Sequence, residues 1–152
     1  MINTKLGDIT EAVTEGIIVQ QVNAKGVMGS GVAAAIRQKW PIVFDVYRER
    51  IYDAGQVMGM MIPVQVTATL HICNIVGQQF YGRDGKRYTS YDALDDGFKK
   101  VKSYATALNI KEINFPLIGC GLGGGEWEIV SSIIQSNLPS FELTLWTIEP
   151  TV

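Results

Sequence analysis

Apolar residues along this chain recur with two periods, and stretches of one period alternate with stretches of the other. Gly16-Ile17-Ile18-Val19-Gln20-Gln21-Val22-Asn23 is a β-branched apolar run bounded by glycine and turn residues, which predicts a central strand. Ile2 to Leu6 predicts a shorter strand before it. The period then lengthens. Gly31 to Trp40 is rich in helix formers, carries basic residues in its last turn and stops before Pro41, which predicts a short helix. Ile42 to Ala54 sets Val43, Val46, Tyr47, Arg50 and Ile51 on one stripe, a second helix ending near Gly55. Val57 to Gln65 and Thr67 to Val76 are rich in Val, Ile and Thr and predict two strands joined as a hairpin. Gly77 to Tyr88 is polar, punctuated by glycine and expected as an exposed loop. From Ser90 to Leu108, Tyr91, Leu94, Phe98, Val101, Ala105 and Leu108 recur at helical spacing, with Thr89 or Ser90 available as the cap. Glu112 to Pro116 reads as a buried strand and Glu126 to Leu138 as a helix with Trp127, Val130, Ile133 and Ile134 inward. Leu143 to Ile148 reads as a closing strand.

Strands that alternate with helices imply an α/β chain: a three-layer α/β/α sandwich around a central mixed, largely parallel sheet covered on both faces. In such a sheet the ligand crevice lies beyond the carboxyl ends of the strands. At 152 residues, 47% hydrophobic and 18% charged, the whole chain 1–152 is expected as one compact domain. The formal net charge is -2, and basic residues gather no further than pairs such as Lys99-Lys100. Nothing therefore marks an electrostatic surface for nonspecific nucleic-acid binding. The start, Met1-Ile2-Asn3-Thr4-Lys5, lacks the apolar stretch of a signal peptide, and no run reaches the length needed to span a bilayer. The expectation is a soluble cytoplasmic chain with no membrane partner. Cys73 and Cys120 lie on separate elements without a second ligand pair, so no metal site is expected; two buried thiols fit better. Cys120 alone leaves room for a lowered thiol pKa, because backbone N–H groups surround it in sequence.

Two loops carry the chemistry. Five glycines fall among the seven residues from Gly119 to Gly125, between an apolar strand and an amphipathic helix. Ordering so many glycines is costly, which suggests that bare backbone must approach something, and a phosphate at a helix N-terminus is the obvious candidate; a flexible tight turn is the plainer alternative. Asn23-Ala24-Lys25-Gly26-Val27-Met28-Gly29-Ser30-Gly31-Val32-Ala33 also joins a buried strand to a helix. Two such nests suit a diphosphate. Neither ends in Gly-Lys-Ser/Thr, and neither matches Gly-x-Gly-x-x-Gly in the first βαβ position, which argues against kinase and dehydrogenase classes.

In order and spacing, Gly7-Asp8-Ile9-Thr10, the loop from Asn23 to Ala33, Pro116 to Gly125 and the strand Leu143 to Ile148 resemble the macrodomains, the ADP-ribose-binding fold. The resemblance spans nearly the whole chain. It is nearest to the branch holding the ADP-ribose 1″-phosphate phosphatases and the terminal ADP-ribose protein glycohydrolases, and Gly82 to Leu94 looks like the phosphatase-like members. It implies that Asp8 accepts from the adenine amine with the Ile9 backbone beside it, that Asn23 reaches the distal ribose hydroxyls, and that Trp146 lies against adenine. It also implies that Gly29, Ser30, Gly31 and Val32, with Ile118, Gly119, Cys120, Gly121, Leu122 and Gly123, meet the phosphates and distal ribose. From the residues alone Asp8 also reads as a cap, Asn23 as a turn residue and Trp146 as core.

The glycohydrolases of this branch use a lysine before the long helix and an aspartate in the second glycine loop. Here those positions fall near Tyr88, with Lys86 and Arg87 close by, and on Gly123. A lysine adduct is therefore disfavoured. Phosphomonoester hydrolysis needs only a water, an acid or base, and donors to the phosphoryl oxygens, for which Asn23, Thr89 and Glu126, with Lys25, are the candidates. Glu126 also reads as a dipole-favouring helix acid, and His71, mid-strand, as a core histidine. The expected activity is binding of ADP-ribose and hydrolysis of ADP-ribose 1″-phosphate, with no cofactor. A noncatalytic reader of ADP-ribosylated macromolecules, an ADP-ribosyl ester hydrolase and a generic phosphate binder are the alternatives.

Overall fold

The computed structural model describes residues 1–149. Its elements are β1 (Ile2–Leu6), α1 (Ile9–Ala12), β2 (Gly16–Asn23), α2 (Gly31–Lys39), α3 (Pro41–Asp53), β3 (Met61–Gln65), β4 (Leu70–Gln78), α4 (Tyr91–Ala107), β5 (Glu112–Phe115), α5 (Trp127–Asn137) and β6 (Glu142–Thr147). Six strands form one sheet in the order β1-β6-β5-β2-β4-β3. Every neighbouring pair is parallel except β3 with β4. That is the mixed, largely parallel sheet expected, with its one antiparallel strand at the edge.

Strand alternation divides the core into two halves. On β2, Ile17 and Val19 join Leu94, Phe98, Val130 and Ile134 of α4 and α5, whereas Ile18 and Val22 join Ile36, Val43 and Tyr47 of α2 and α3. Helices thus cover both faces, which makes three layers. Ile17, Ile18 and Val19 are wholly inaccessible, and each such burial contributes about 1.5–3 kcal/mol.

Three details differ from the pattern-based expectation. The segment 57–60 is a turn, with Met60 N–H donating to the Val57 carbonyl, so β3 starts only at Met61; β4 begins at Leu70 and runs on to Gln78, past the expected end at Val76. Two stripe positions turn outward: Arg50 is exposed on α3, whose buried residues are Val43 and Tyr47, and Leu108 is exposed because it is the C-cap of α4, past the helix's last packed turn. Asp8 caps a four-residue helix, α1, too short to show a helical period.

Candidate functional site

Because β1, β6, β5, β2 and β4 run parallel side by side, their carboxyl ends share one edge of the sheet, and the loops that follow them stand in a row. Asp8 follows β1, the 24–30 loop follows β2, the 79–90 loop follows β4 and the 116–126 loop follows β5. A cleft of about 560 Å³ opens among the last three. It is lined by residues of both glycine loops, by Gln20 and Gln21 of β2, and by Tyr81 and Arg83 of the loop after β4.

The first loop is held in shape by its own polar groups. Asn23 Oδ1 accepts from the N–H of Lys25 (3.0 Å) and of Val27 (3.3 Å) and from the Tyr47 hydroxyl (3.0 Å), while its Nδ2 donates to the Val27 carbonyl (2.8 Å). Tyr47 also donates to the Asn23 carbonyl (2.5 Å) and accepts from Gly26 N–H (3.1 Å), and burial pushes its phenol up to about 12. The following six N–H groups, from Met28 to Ala33, have no acceptor among the described residues. Ser30 occupies the N-cap of α2 without a side-chain capping bond. An uncapped helix start next to an open loop leaves its donors and the positive end of the helix dipole for a ligand.

The second loop is built differently. Cys120 N–H donates to the Leu117 carbonyl (3.1 Å), Gly124 N–H to Gly121 (3.1 Å) and Gly125 N–H to Gly119 (2.7 Å). Between these anchors the N–H groups of Gly121, Leu122 and Gly123 have no acceptor among the described residues. Two runs of unpaired backbone donors therefore line one cleft from adjacent strands.

The structure also sorts the expected site residues. Gly29, Ser30, Gly31, Val32 and every residue from Ile118 to Gly123 line the cleft, as does Asn23. Asp8, Ile9 and Trp146 do not; they stand at the β1 and β6 end of the row. Asp8 Oδ1 accepts from both the backbone N–H (2.9 Å) and the hydroxyl (2.7 Å) of Thr10, and that hydroxyl bond, foremost, holds its carboxyl below the usual value. The capping role of Asp8 is thus realised. Trp146 Nε1 donates to Asn114 Oδ1 (2.9 Å), and its ring packs where Gly7 leaves room, beside Lys5. Exposed Leu6 and Ile148, the latter 82% accessible, flank it at the strand ends.

The three candidate catalytic residues stand in different surroundings. Asn23 is an amide whose oxygen is committed to its own loop. Thr89 is only 2% accessible, with its hydroxyl donating to the Gly119 carbonyl (2.8 Å) and accepting from Gln21 Nε2 (3.0 Å). Glu126 stands exposed at the N-cap of α5, outside the cleft lining, so its helix-start reading holds. Lys25 instead lies over the Phe80 ring, 4.6 Å from its centroid. Burial pushes the Cys120 thiol up to about 11, the opposite of the lowering its neighbours in sequence suggested, and its Sγ donates to the Ile118 carbonyl (3.2 Å). His71 is buried, with Nδ1 2.7 Å from the Tyr104 hydroxyl, and burial holds its pKa below 6.5.

Sequence reading missed Gln20, Gln21, Gln78, Tyr81 and Arg83, which all line the cleft. The available signal was two adjacent glutamines inside an otherwise apolar strand, a polar pair with no solvent to face. Among the described residues no three His, Cys, Asp or Glu side chains gather in a way that could hold a metal ion, and no helix is long and apolar enough to cross a membrane.

Residues 19–134 match the family model described as Macro domain. The DNA ADP-ribosyl glycohydrolase of Mycobacterium tuberculosis is 29% identical over 152 residues, covering 96% of this chain. The chain spans 42% of that relative's length. Among solved structures, a Bacteroides thetaiotaomicron protein superposes with a TM-score of 0.88 at 29% identity, covering 96% of this chain and 97% of its own. The macrodomain of Mycobacterium tuberculosis DarG superposes with a TM-score of 0.81 at 26% identity, covering 99% of each chain.

Proposed function

This chain belongs to the Macro domain family, and from that premise we propose that it binds ADP-ribose along the carboxyl edge of its sheet and hydrolyses the bond to a 1″-phosphate. The observation that carries the binding is the pair of unpaired N–H runs, Met28 to Ala33 and Gly121 to Gly123, in residues that line one cleft. A diphosphate satisfies both runs at once, and the α2 N-terminus adds favourable dipole charge. The cleft volume, about 560 Å³, falls within the roughly 300–1,000 Å³ of small-molecule sites. Adenine then lies toward Asp8, a carboxylate that selects an amine donor over a carbonyl, and the distal ribose toward Asn23.

Arg83 supports the phosphatase reading. It stands on the β4 side of the cleft, the opposite end of the strand row from Asp8, where the 1″ substituent would project. A guanidinium there pairs with a phosphate in bidentate fashion. In the proposed step a water attacks phosphorus, the bond from phosphorus to the ribosyl oxygen breaks, and that oxygen leaves with the water's proton. Backbone donors spread the developing phosphoryl charge. The Mycobacterium tuberculosis relative acts, by its name, on ADP-ribosyl groups of DNA, so an ADP-ribosyl nucleic acid belongs beside the 1″-phosphate and an ADP-ribosyl ester among substrates to be tried.

One observation favours a second reading. The cleft lining contains no carboxylate, imidazole or ammonium group, which suits a reader that holds ADP-ribose without cleaving anything. Phosphate released from ADP-ribose 1″-phosphate, beyond that from a Gly121→Glu control, supports the hydrolase. Calorimetric binding of ADP-ribose without release supports the reader. Equal affinity for ADP-ribose, ADP and AMP overturns both.

A further inference from the structure

Gly119 and Gly123 lie under one buried side chain, Thr89, which comes from the 79–90 loop after β4. The Tyr88 and Thr89 N–H groups both donate to the Gly123 carbonyl, at 2.7 and 3.0 Å. The Thr89 hydroxyl donates to the Gly119 carbonyl at 2.8 Å. The peptides on either side of the free run are thus anchored through their carbonyls, and their own N–H groups, of Cys120 and Gly124, are bonded inside the loop. The three N–H groups between them stay unpaired.

The hydroxyl is itself oriented. Gln78 Nε2 donates to the Phe80 carbonyl (2.7 Å), so its Oε1 faces Gln21, and Gln21 Nε2 donates both to that oxygen (2.6 Å) and to Thr89 Oγ1 (3.0 Å). The Thr89 hydroxyl accepts from Gln21 and spends its one proton on the Gly119 carbonyl. The cost is visible: Gln21 Oε1 is buried without a partner among the described residues. Space is reserved as well. A Cβ on Gly123 would lie 2.5 Å from Thr89 Oγ1, one on Gly119 2.8 Å from it, and one on Gly77 2.3 Å from Gln21 Oε1.

We infer that Thr89 is a positioning residue: through the Gly119 and Gly123 carbonyls it holds the second glycine loop in the shape that turns the Gly121, Leu122 and Gly123 N–H groups toward the ligand, and Gln21 with Gln78 orients its hydroxyl. Thr89 does not touch the ligand, and the inference rests on the ADP-ribose reading above. Calorimetry with ADP-ribose, on wild type, Thr89→Val and Thr89→Ser, tests it. Valine keeps the volume and loses the hydroxyl, so affinity falls about tenfold or more, a change matched to losing one buried hydrogen bond. Serine restores it to within about threefold of wild type. Gln21→Met disorients the hydroxyl and gives a loss in the same direction, although Gln21 also lines the cleft. Hydrogen exchange on apo protein reads the loop itself: Cys120 and Gly124 protected, Gly121 to Gly123 fast, and this contrast lost in Thr89→Val and in Gln21→Met. Exchange on apo Gln21→Met carries the test if Thr89→Val does not fold. Wild type that ignores ADP-ribose overturns the binding reading. Wild type that binds, with Thr89→Val or Gln21→Met binding equally well, overturns the positioning role alone.

Discussion

A side chain added at Gly121 would meet nothing within 4 Å, whereas one at Gly124 would lie 2.6 Å from the Lys86 carbonyl and one at Gly125 2.7 Å from the Gly119 carbonyl. The glycine cluster therefore has two causes. Gly121 leaves the cleft open, and its neighbours let the loop fold against the 86–89 segment. Gly121→Val is expected to leave thermal stability near wild type and to abolish measurable ADP-ribose binding, because the new branch covers the free donors. Gly123→Ala, in contrast, should destabilise the fold by about 1–3 kcal/mol in urea unfolding, the usual cost of overpacking. Composition announced a backbone-approach loop at 119–125, but no residue count separates glycines needed by a ligand from glycines needed by Thr89. Asp8 is a cap in the structure, and a second role, at adenine, is proposed for it. Asp8→Ser keeps an N-cap and should hold stability within about 0.5 kcal/mol while lowering affinity for ADP-ribose; unchanged affinity would remove Asp8 from the adenine site. Cys120, with its thiol pushed up to about 11, stays protonated at neutral pH, so Cys120→Ala should bind ADP-ribose as wild type does.

At the scale of elements, long periodic segments were legible and short ones were not. On the α4 stripe Leu94, Phe98, Val101 and Ala105 are buried as their spacing required, Tyr91 is half-buried and the terminal Leu108 is exposed, whereas α1 has one turn and depends on the Asp8 cap. The strand β4 runs beyond its expected end because the Gly77 region shifts register, pairing Asn23 with Gln78 directly after Val22 with Val76. That irregularity brings Gln78 to Gln21. His71 on the same strand sets a pH dependence. Burial lowers its pKa from 6.5, so the unfolded chain takes up the proton first and stability is lost as pH falls below about 6.5. It is the sole histidine, and the lowered carboxyl of Asp95, held chiefly by Lys99, contributes its loss only in more acidic solution, below its ordinary 3.8. The urea midpoint should fall between pH 7 and pH 5, and His71→Gln should flatten that slope; an equal slope in the variant would assign it elsewhere.

For the whole molecule, the decisive feature is strand order. Alternating elements indicated a parallel sheet, yet nothing in one sequence says that β6 inserts between β1 and β5, or that β5 and β2 are neighbours. Those two adjacencies put the Asp8 turn at one end of the row and set the two donor runs side by side. Titrating isotope-labelled wild-type protein with ADP-ribose and following backbone amide resonances addresses this arrangement most directly. The amides from Met28 to Ala33 and from Gly121 to Gly123 are expected to shift together, at one saturating stoichiometry. Binding that leaves both runs unmoved, or moves one without the other, would contradict it.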